Sequence, residues 1–403
     1  MLESACFRRE YGAIEVGTRL AIPVSMKTTF LGALAVMAGL ALGAVGCSGD
    51  AGDLSDDDVD ASEEALTSAG DNAFGLGTDA PTAVASPNFK TLQSQWRDQD
   101  WSLRTARTVF YVGLNGKPMD TAPLHAWVNA VAAAGLEPMV GVSVLTRFEQ
   151  PHLAPVKRPE FRARFQTLLH EFPEVRYWGV VNEPDLELTG SAAQRADEAV
   201  DYFVDGYKLL RKCKQQTICA SKVSLVAGEF SYQGGNPATS EAFWKHYGKA
   251  KLKAYKDKDV RVFPKVWAFH PYTDVSGANT KGTDRFDAFL ADLEKDAKTG
   301  KNSLRAWLTE TGTILHLGDR CSTSAGDLNK RPNAQLEGAR TTFKINNPGR
   351  VDRIYWWQYK QVAGHPWDSA MVDANDVPRP AFCGLTKQAV SACPGENAAT
   401  QCK

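Results

Sequence analysis

From Asn72 onward the chain alternates. Short apolar runs of strand length, rich in β-branched and aromatic residues, are followed by longer stretches with helical spacing, and the cycle repeats eight times. Such alternation is the pattern of βα units around a parallel sheet. The strands are expected near Phe74–Thr78, Ala106–Val112, Glu137–Val144, Val175–Asn182, Val223–Gly228, Lys265–His270, Leu304–Glu310 and Val351–Gln358. Between them lie helical patterns such as LHAWVNAVAAAG, Leu124 to Gly135, whose closing glycine suits a helix C-cap. The segment opening at Ser191 begins on a good N-cap and carries apolar residues at helical spacing. Eight such units predict a (β/α)8 TIM barrel. An open doubly wound sheet is the rival architecture, but no GxGxxG fingerprint follows the first strand.

The fourth run, YWGVVNEPD from Tyr177 to Asp185, changes abruptly from apolar residues to Asn182, Glu183 and Pro184. The seventh, RAWLTETG from Arg305 to Gly312, closes on Glu310 in the same way. Parallel barrels build their sites at the carboxyl ends of the strands, so both carboxyls are expected at one rim. Two carboxyls at one rim can flank a glycosidic bond, retaining configuration when about 5–5.5 Å apart and inverting it when about 6.5–9.5 Å apart. The sequence leaves that gap open. The interval between the two glutamates exceeds what three minimal βα units need. The excess has visible homes in SYQGGNPATS (Ser231 to Ser240) and TDVSGANTKGT (Thr273 to Thr283), polar loops on the side where a barrel forms its cleft.

These motifs resemble the four-seven barrels of glycoside hydrolase clan A, which include families 5, 30 and 39; no motif settles the family. The resemblance runs over roughly Asn72 to Leu385 and is concentrated at the strand ends. It implies a retaining β-glycosidase with Glu183 as acid/base, Glu310 as nucleophile and Asn182 on the sugar's 2-hydroxyl. It further implies that Arg107, in TARTVFYV, steadies the nucleophile's charge, and that WAFHPY carries the clan's histidine and tyrosine as His270 and Tyr272, the tyrosine near the nucleophile. In RIYWWQY, Trp356 or Trp357 resembles the aromatic platform under the sugar. Neighbouring strand residues face opposite ways, so only one of the two can serve, and the reading leans to Trp356. An oligo- or polysaccharide substrate, endo action, no metal, no organic cofactor and a monomeric chain are the corresponding expectations. An exo-acting β-glycosidase and a non-catalytic carbohydrate-binding barrel are the alternatives.

The N-terminal part reads differently. MKTTFLGALAVMAGLALGAVGC, Met26 to Cys47, places Lys27 before an apolar run that ends in small residues and cysteine, the form of a secretory signal peptide. It also resembles a bacterial lipoprotein signal, with Cys47 as the lipid-bearing residue and Ala44 where that box usually has leucine. A transmembrane anchor fits less well, because no basic stop-transfer cluster follows. Residues 1–25, with Arg8, Arg9, Glu10 and Arg19, fit no part of a signal and read as an upstream extension. Residues 48–70, DLSDDDVDASEEA among them, are acidic and without aromatics, a solvated tether that cannot bury a core. The catalytic barrel is then 71–392, followed by a tail, 393–403.

The expected location is exported and bacterial, secreted or held to the envelope by a lipid on Cys47. Cys213, Cys219, Cys321, Cys383, Cys393 and Cys402 form an even set suited to an oxidising compartment, Cys213 with Cys219 being the first pairing to expect and the tail a candidate for disulfide tying. No CxxC or paired-histidine spacing suggests a metal. A formal net charge of −1 gives no reason to expect nucleic acid as a partner.

Overall fold

Eight parallel strands close into a barrel in simple chain order, the last pairing with the first. The computed structural model describes residues 73–78, 81–96, 102–113, 117–145, 155–219, 222–231, 237–272, 283–301, 303–312, 316–317, 350–362, 367–388 and 390–393. The signal segment, Cys47, the tether, Cys321, Cys402, the Thr273–Thr283 loop save its last residue and the tail past Cys393 lie outside these residues.

The strands are β1 (Ala73–Gly77), β2 (Ser102–Tyr111), β3 (Glu137–Ser143), β4 (Tyr177–Val180), β5 (Ser224–Ser231), β6 (Val266–His270), β7 (Arg305–Thr311) and β8 (Val351–Trp357). The helices are α1 (Pro81–Val84), α2 (Pro87–Ser94), α3 (Ala122–Ala133), α4 (Arg158–Glu171), α5 (Pro184–Glu187), α6 (Ala192–Gln215), α7 (Pro237–Lys256), α8 (Thr283–Ala297) and α9 (Pro380–Leu385). The TIM barrel anticipated from the alternation is therefore present, with all eight strands close to their expected places.

Local chemistry explains the boundaries. Gly135 closes α3 at φ +71°, a left-handed position that glycine occupies without steric cost, and the Leu136 amide donates back to the Val131 carbonyl. Ser191 caps α6 in a full capping box, its hydroxyl accepting from the Gln194 amide while the Gln194 side chain accepts from Ser191. Two expectations shift. β4 is shorter than the apolar run, because Val181 at φ +63° breaks the extended backbone. β5 is longer and runs on to Ser231 through a register shift between Ala227 and Phe230, with Gly228 and Glu229 both at positive φ.

Two apolar layers result. Outward-facing residues such as Ala106, Val140, Trp178, Leu225, Trp267 and Leu308 pack against the helices. Inward-facing Met139, Tyr177, Val226, Val266, Ala268, Trp307 and Tyr355 fill the barrel. Disulfides join Cys213 to Cys219 just past the end of α6, and Cys383 to Cys393, which ties the chain after α9 back to that helix.

Candidate active site

The carboxyl end of the barrel gathers Arg107, Asn182, Glu183, His270, Tyr272 and Glu310 into one cluster, hydrogen bonds joining Arg107, Asn182, Glu310 and Tyr272 in one set and Glu183 and His270 in another. From Thr105 onward β2 pairs with β3 in regular register, so Arg107 points inward with Thr105 and is fully buried. Its Nη1 donates to Glu310 Oε1 at 2.7 Å and its Nη2 to Asn182 Oδ1 at 2.7 Å.

The NEP triplet is shaped by the end of β4. The Asn182 amide still donates to Val142 on β3, after which Glu183 adopts a left-handed conformation at φ +44° and Pro184 starts α5 at its first turn, where a missing N–H costs nothing. A non-glycine residue held there costs on the order of 1–3 kcal/mol, and such costs gather at functional sites. The turn leaves the Glu183 side chain 17% exposed, open to the cleft.

His270 ends β6 facing inward. Its Nδ1 lies 2.9 Å from Glu183 Oε1 and 3.7 Å from Glu310 Oε2, so one ring spans both carboxyls. Tyr272 donates its hydroxyl to Glu310 Oε2 at 2.9 Å. Glu310 itself owes its direction to a break in β7. Leu308 faces the helices, and strict alternation would send Glu310 the same way, but the register shifts between Leu308 and Thr311 and turns the carboxyl inward.

Burial pushes the Glu310 carboxyl up. Charge from His270 and Arg107, with hydrogen bonds from Arg107 and Tyr272, outweighs it and holds the group below the usual glutamate range. Burial lowers His270, but the two neighbouring carboxylates raise it net above its ordinary value. Tyr272 is pushed well up by burial and then by Glu310 and Glu183, so it stays a donor. One oxygen from each carboxyl and one His270 nitrogen all lie within 4.8 Å of one another. A cation could bridge atoms so spaced, but here they are engaged by Arg107, Tyr272 and each other.

The tryptophan pair corrects the lean toward Trp356. That indole is fully buried on the outer face of β8, packed in the barrel–helix layer with Nε1 donating to the Ser369 carbonyl at 2.8 Å. Trp357 points into the site, packing with Val109 and Tyr272. The reason is the pleat: Arg353, Tyr355 and Trp357 share the inward face, and Ile354 and Trp356 the outward one.

Three acids escape the sequence reading. Glu229 on β5 is fully buried, and its Oε1 accepts from Arg107 Nε at 3.1 Å and Nη2 at 2.8 Å. Its signal was a glutamate directly after the run expected to end at Gly228, the same strand-end pattern as NEP. Asp185 and Glu187, on α5, are buried as well. Asp185 accepts from the Ser231 amide, and burial with the nearby Glu183 charge pushes it up to about 7. Glu187 accepts from the Val144 amide and is raised well above its usual value by burial.

No protein-family model matches the chain, and no curated protein does. Solved structures do match. A family 39 glycoside hydrolase from the gut symbiont Bacteroides cellulosilyticus WH2 aligns with a TM-score of 0.52 at 16% identity, over 77% of this chain and 61% of its own. A family 10 endoxylanase retrieved from a sugarcane soil metagenome aligns with a TM-score of 0.50 at 12% identity, over 78% of this chain and 96% of its own. The chain thus spans about three-fifths of the family 39 structure's length, and the likeness is one of fold.

Proposed function

We propose that the chain is a retaining glycoside hydrolase. The observation that carries this reading is the pair Glu183 and Glu310 at one barrel rim, one oxygen of each within 4.8 Å of the other, which favours the close pairing of retaining enzymes over the wider gap of inverting ones. Glu310, ionised by Arg107, His270 and Tyr272, attacks the anomeric carbon. The bond from that carbon to the leaving oxygen breaks, its electron pair stays on oxygen, and Glu183 supplies the proton. Water then enters on the same side, Glu183 takes its proton, and the ester to Glu310 is cleaved. Asn182 fits the 2-hydroxyl, and Trp357 replaces Trp356 as the ring against the sugar.

The substrate reading is a β-linked polysaccharide cut internally. Support comes from the polar, glycine-bearing segments after strands five and six and from the endoxylanase among the similar folds. Export, with a lipid on Cys47, rests on the Met26–Cys47 segment and accords with two disulfides. A screen of plant, fungal and bacterial polysaccharides and aryl β-glycosides, with reducing-end detection, tests the proposal. Sugar release that disappears in Glu310→Ala is the expected result. Binding without release would favour a carbohydrate-binding barrel, and wild-type turnover by Glu310→Ala would end the nucleophile assignment.

A further inference from the structure

We propose that Glu229 is the standing counter-ion of Arg107, a positioning residue that keeps the guanidinium paired while the charge on Glu310 comes and goes. This rests on the retaining reading above. Four donor contacts of Arg107 divide between partners of different kinds. Nε and Nη2 converge on a single oxygen of Glu229, Nη2 also holds Asn182, and Nη1 holds Glu310. Arg107 and Glu229 are both fully buried, so neither charge can be relieved by solvent.

The fold makes room for this pairing specifically. Gly141 on β3 and Gly179 on β4 are direct neighbours in register, and the Glu229 carboxylate lies against both. A Cβ on Gly141 would sit 2.8 Å from Arg107 Nη2 and 3.0 Å from Glu229 Oε2, and one on Gly179 would overlap the carboxylate. The β5 backbone bends at Gly228 and Glu229 to aim the side chain inward, while Phe230 anchors the outer face against Phe243, Trp244 and Tyr247. Glu229 therefore occupies a prepared cradle.

The need for it follows from the reaction. When the Glu310 oxygen bonds to the anomeric carbon, its carboxylate becomes an ester and loses its charge, while the leaving group departs with the proton of Glu183. Arg107 would then be a buried cation without a partner, at a cost that rises steeply in low dielectric. Glu229 takes no part in the bond exchange, so its pair with Arg107 survives both steps. By sharing Arg107 it also limits how far the guanidinium lowers Glu310, which leaves the nucleophile basic enough to attack.

The test uses the full chain, with the best glycoside from the screen as probe. Glu229→Gln keeps the shape and removes the charge. Its kcat/KM should fall about tenfold to a hundredfold. The acid limb of its pH profile should move to lower pH, because Glu310 then has Arg107 to itself. Glu229→Asp keeps the charge, so it should lose turnover yet leave the acid limb where the wild type has it.

A Glu229→Gln enzyme, folded by circular dichroism, with wild-type kcat/KM and an unmoved limb overturns the inference. If Glu229→Gln does not fold, Glu229→Asp decides: an unmoved limb supports the role and a displaced one overturns it. Glu310→Ala on the same substrate separates the two levels. If it retains turnover, or if the wild type cleaves nothing, the glycosidase reading fails and this inference with it; if it is dead while Glu229→Gln is normal, only the inference fails.

Discussion

The two ends of the barrel each bury an arginine, and they use it differently. At the amino end, Arg353 lies between the rings of Tyr177 and Trp307, 4.4 Å from each centroid, and donates to Glu137 and the Tyr177 hydroxyl. Glu137 reaches the surface with a third of its side chain exposed, so the charge is shared with solvent and with π faces. At the carboxyl end, Arg107 has Trp357 only at 6.0 Å and spends its donors on Glu229, Asn182 and Glu310, all buried. One guanidinium is packed as a permanent part of the core. The other is wired to groups whose charge or contacts would change in the proposed reaction, as expected of the two faces of such a barrel.

Substitutions can break this contrast, the largest effect coming first. Glu310→Ala should cut kcat on the order of 10^4-fold, as loss of one member of a catalytic unit does, with little change in fold by circular dichroism. Arg107→Met should lower kcat/KM by about 10²–10³-fold. It should also destabilise by about 3–5 kcal/mol in urea melts, because Glu229 is left as an unpaired buried charge. Arg353→Met should lower the melting temperature yet leave kcat/KM near wild type; a matching loss of activity would dissolve the distinction between the two ends.

The tryptophans sharpen the same contrast. Trp357→Ala should raise KM and lower kcat/KM on sugar substrates. Trp356→Ala should leave KM unchanged while costing about 3–5 kcal/mol of stability, the usual cavity cost for a buried tryptophan.

The smallest effects are pH-dependent. Asp185 is raised to about 7 in the fold from an ordinary 3.8, so the folded state binds the proton more tightly than the unfolded chain. Its contribution to stability is fully present below the ordinary value and is lost as pH rises toward 7. Asp185→Asn should therefore raise the melting temperature at pH 8 by a few degrees and flatten the profile between the two values. Lys251, buried on α7 with its ammonium over the Phe203 ring of α6, is lowered well below its ordinary 10.5 by burial. The unfolded chain binds that proton better, so stability at this group rises with pH. Lys251→Met should stabilise by on the order of 1 kcal/mol or more near pH 6, with the gain shrinking toward pH 10.

Much of this was legible in the sequence, because strand and helix periods are local properties of the chain. The alternation from Asn72 announced a barrel, the capping residues Gly135 and Ser191 marked helix ends, the strand-end motifs drew attention to Asn182, Glu183 and Glu310, and the resemblance those motifs carry drew attention to Arg107, His270 and Tyr272. What the sequence could not settle was direction. Strict period-two alternation would have sent Glu310 to the helices, and it gave no reason to prefer Trp357 over Trp356. Glu229 was overlooked because its strand was taken to stop at Gly228, whereas it runs on to Ser231.

Those outcomes depend on tertiary structure for a physical reason. Bulges in β5 and β7 exchange the inner and outer faces of a strand, and whether a bulge forms depends on the pairing of neighbouring strands once the barrel closes. Closure also sets Gly141 beside Gly179 and so opens the space that lets Glu229 meet Arg107. The sequence by itself determined which chemical groups stand at the strand ends. The closed barrel decided which of them face one another.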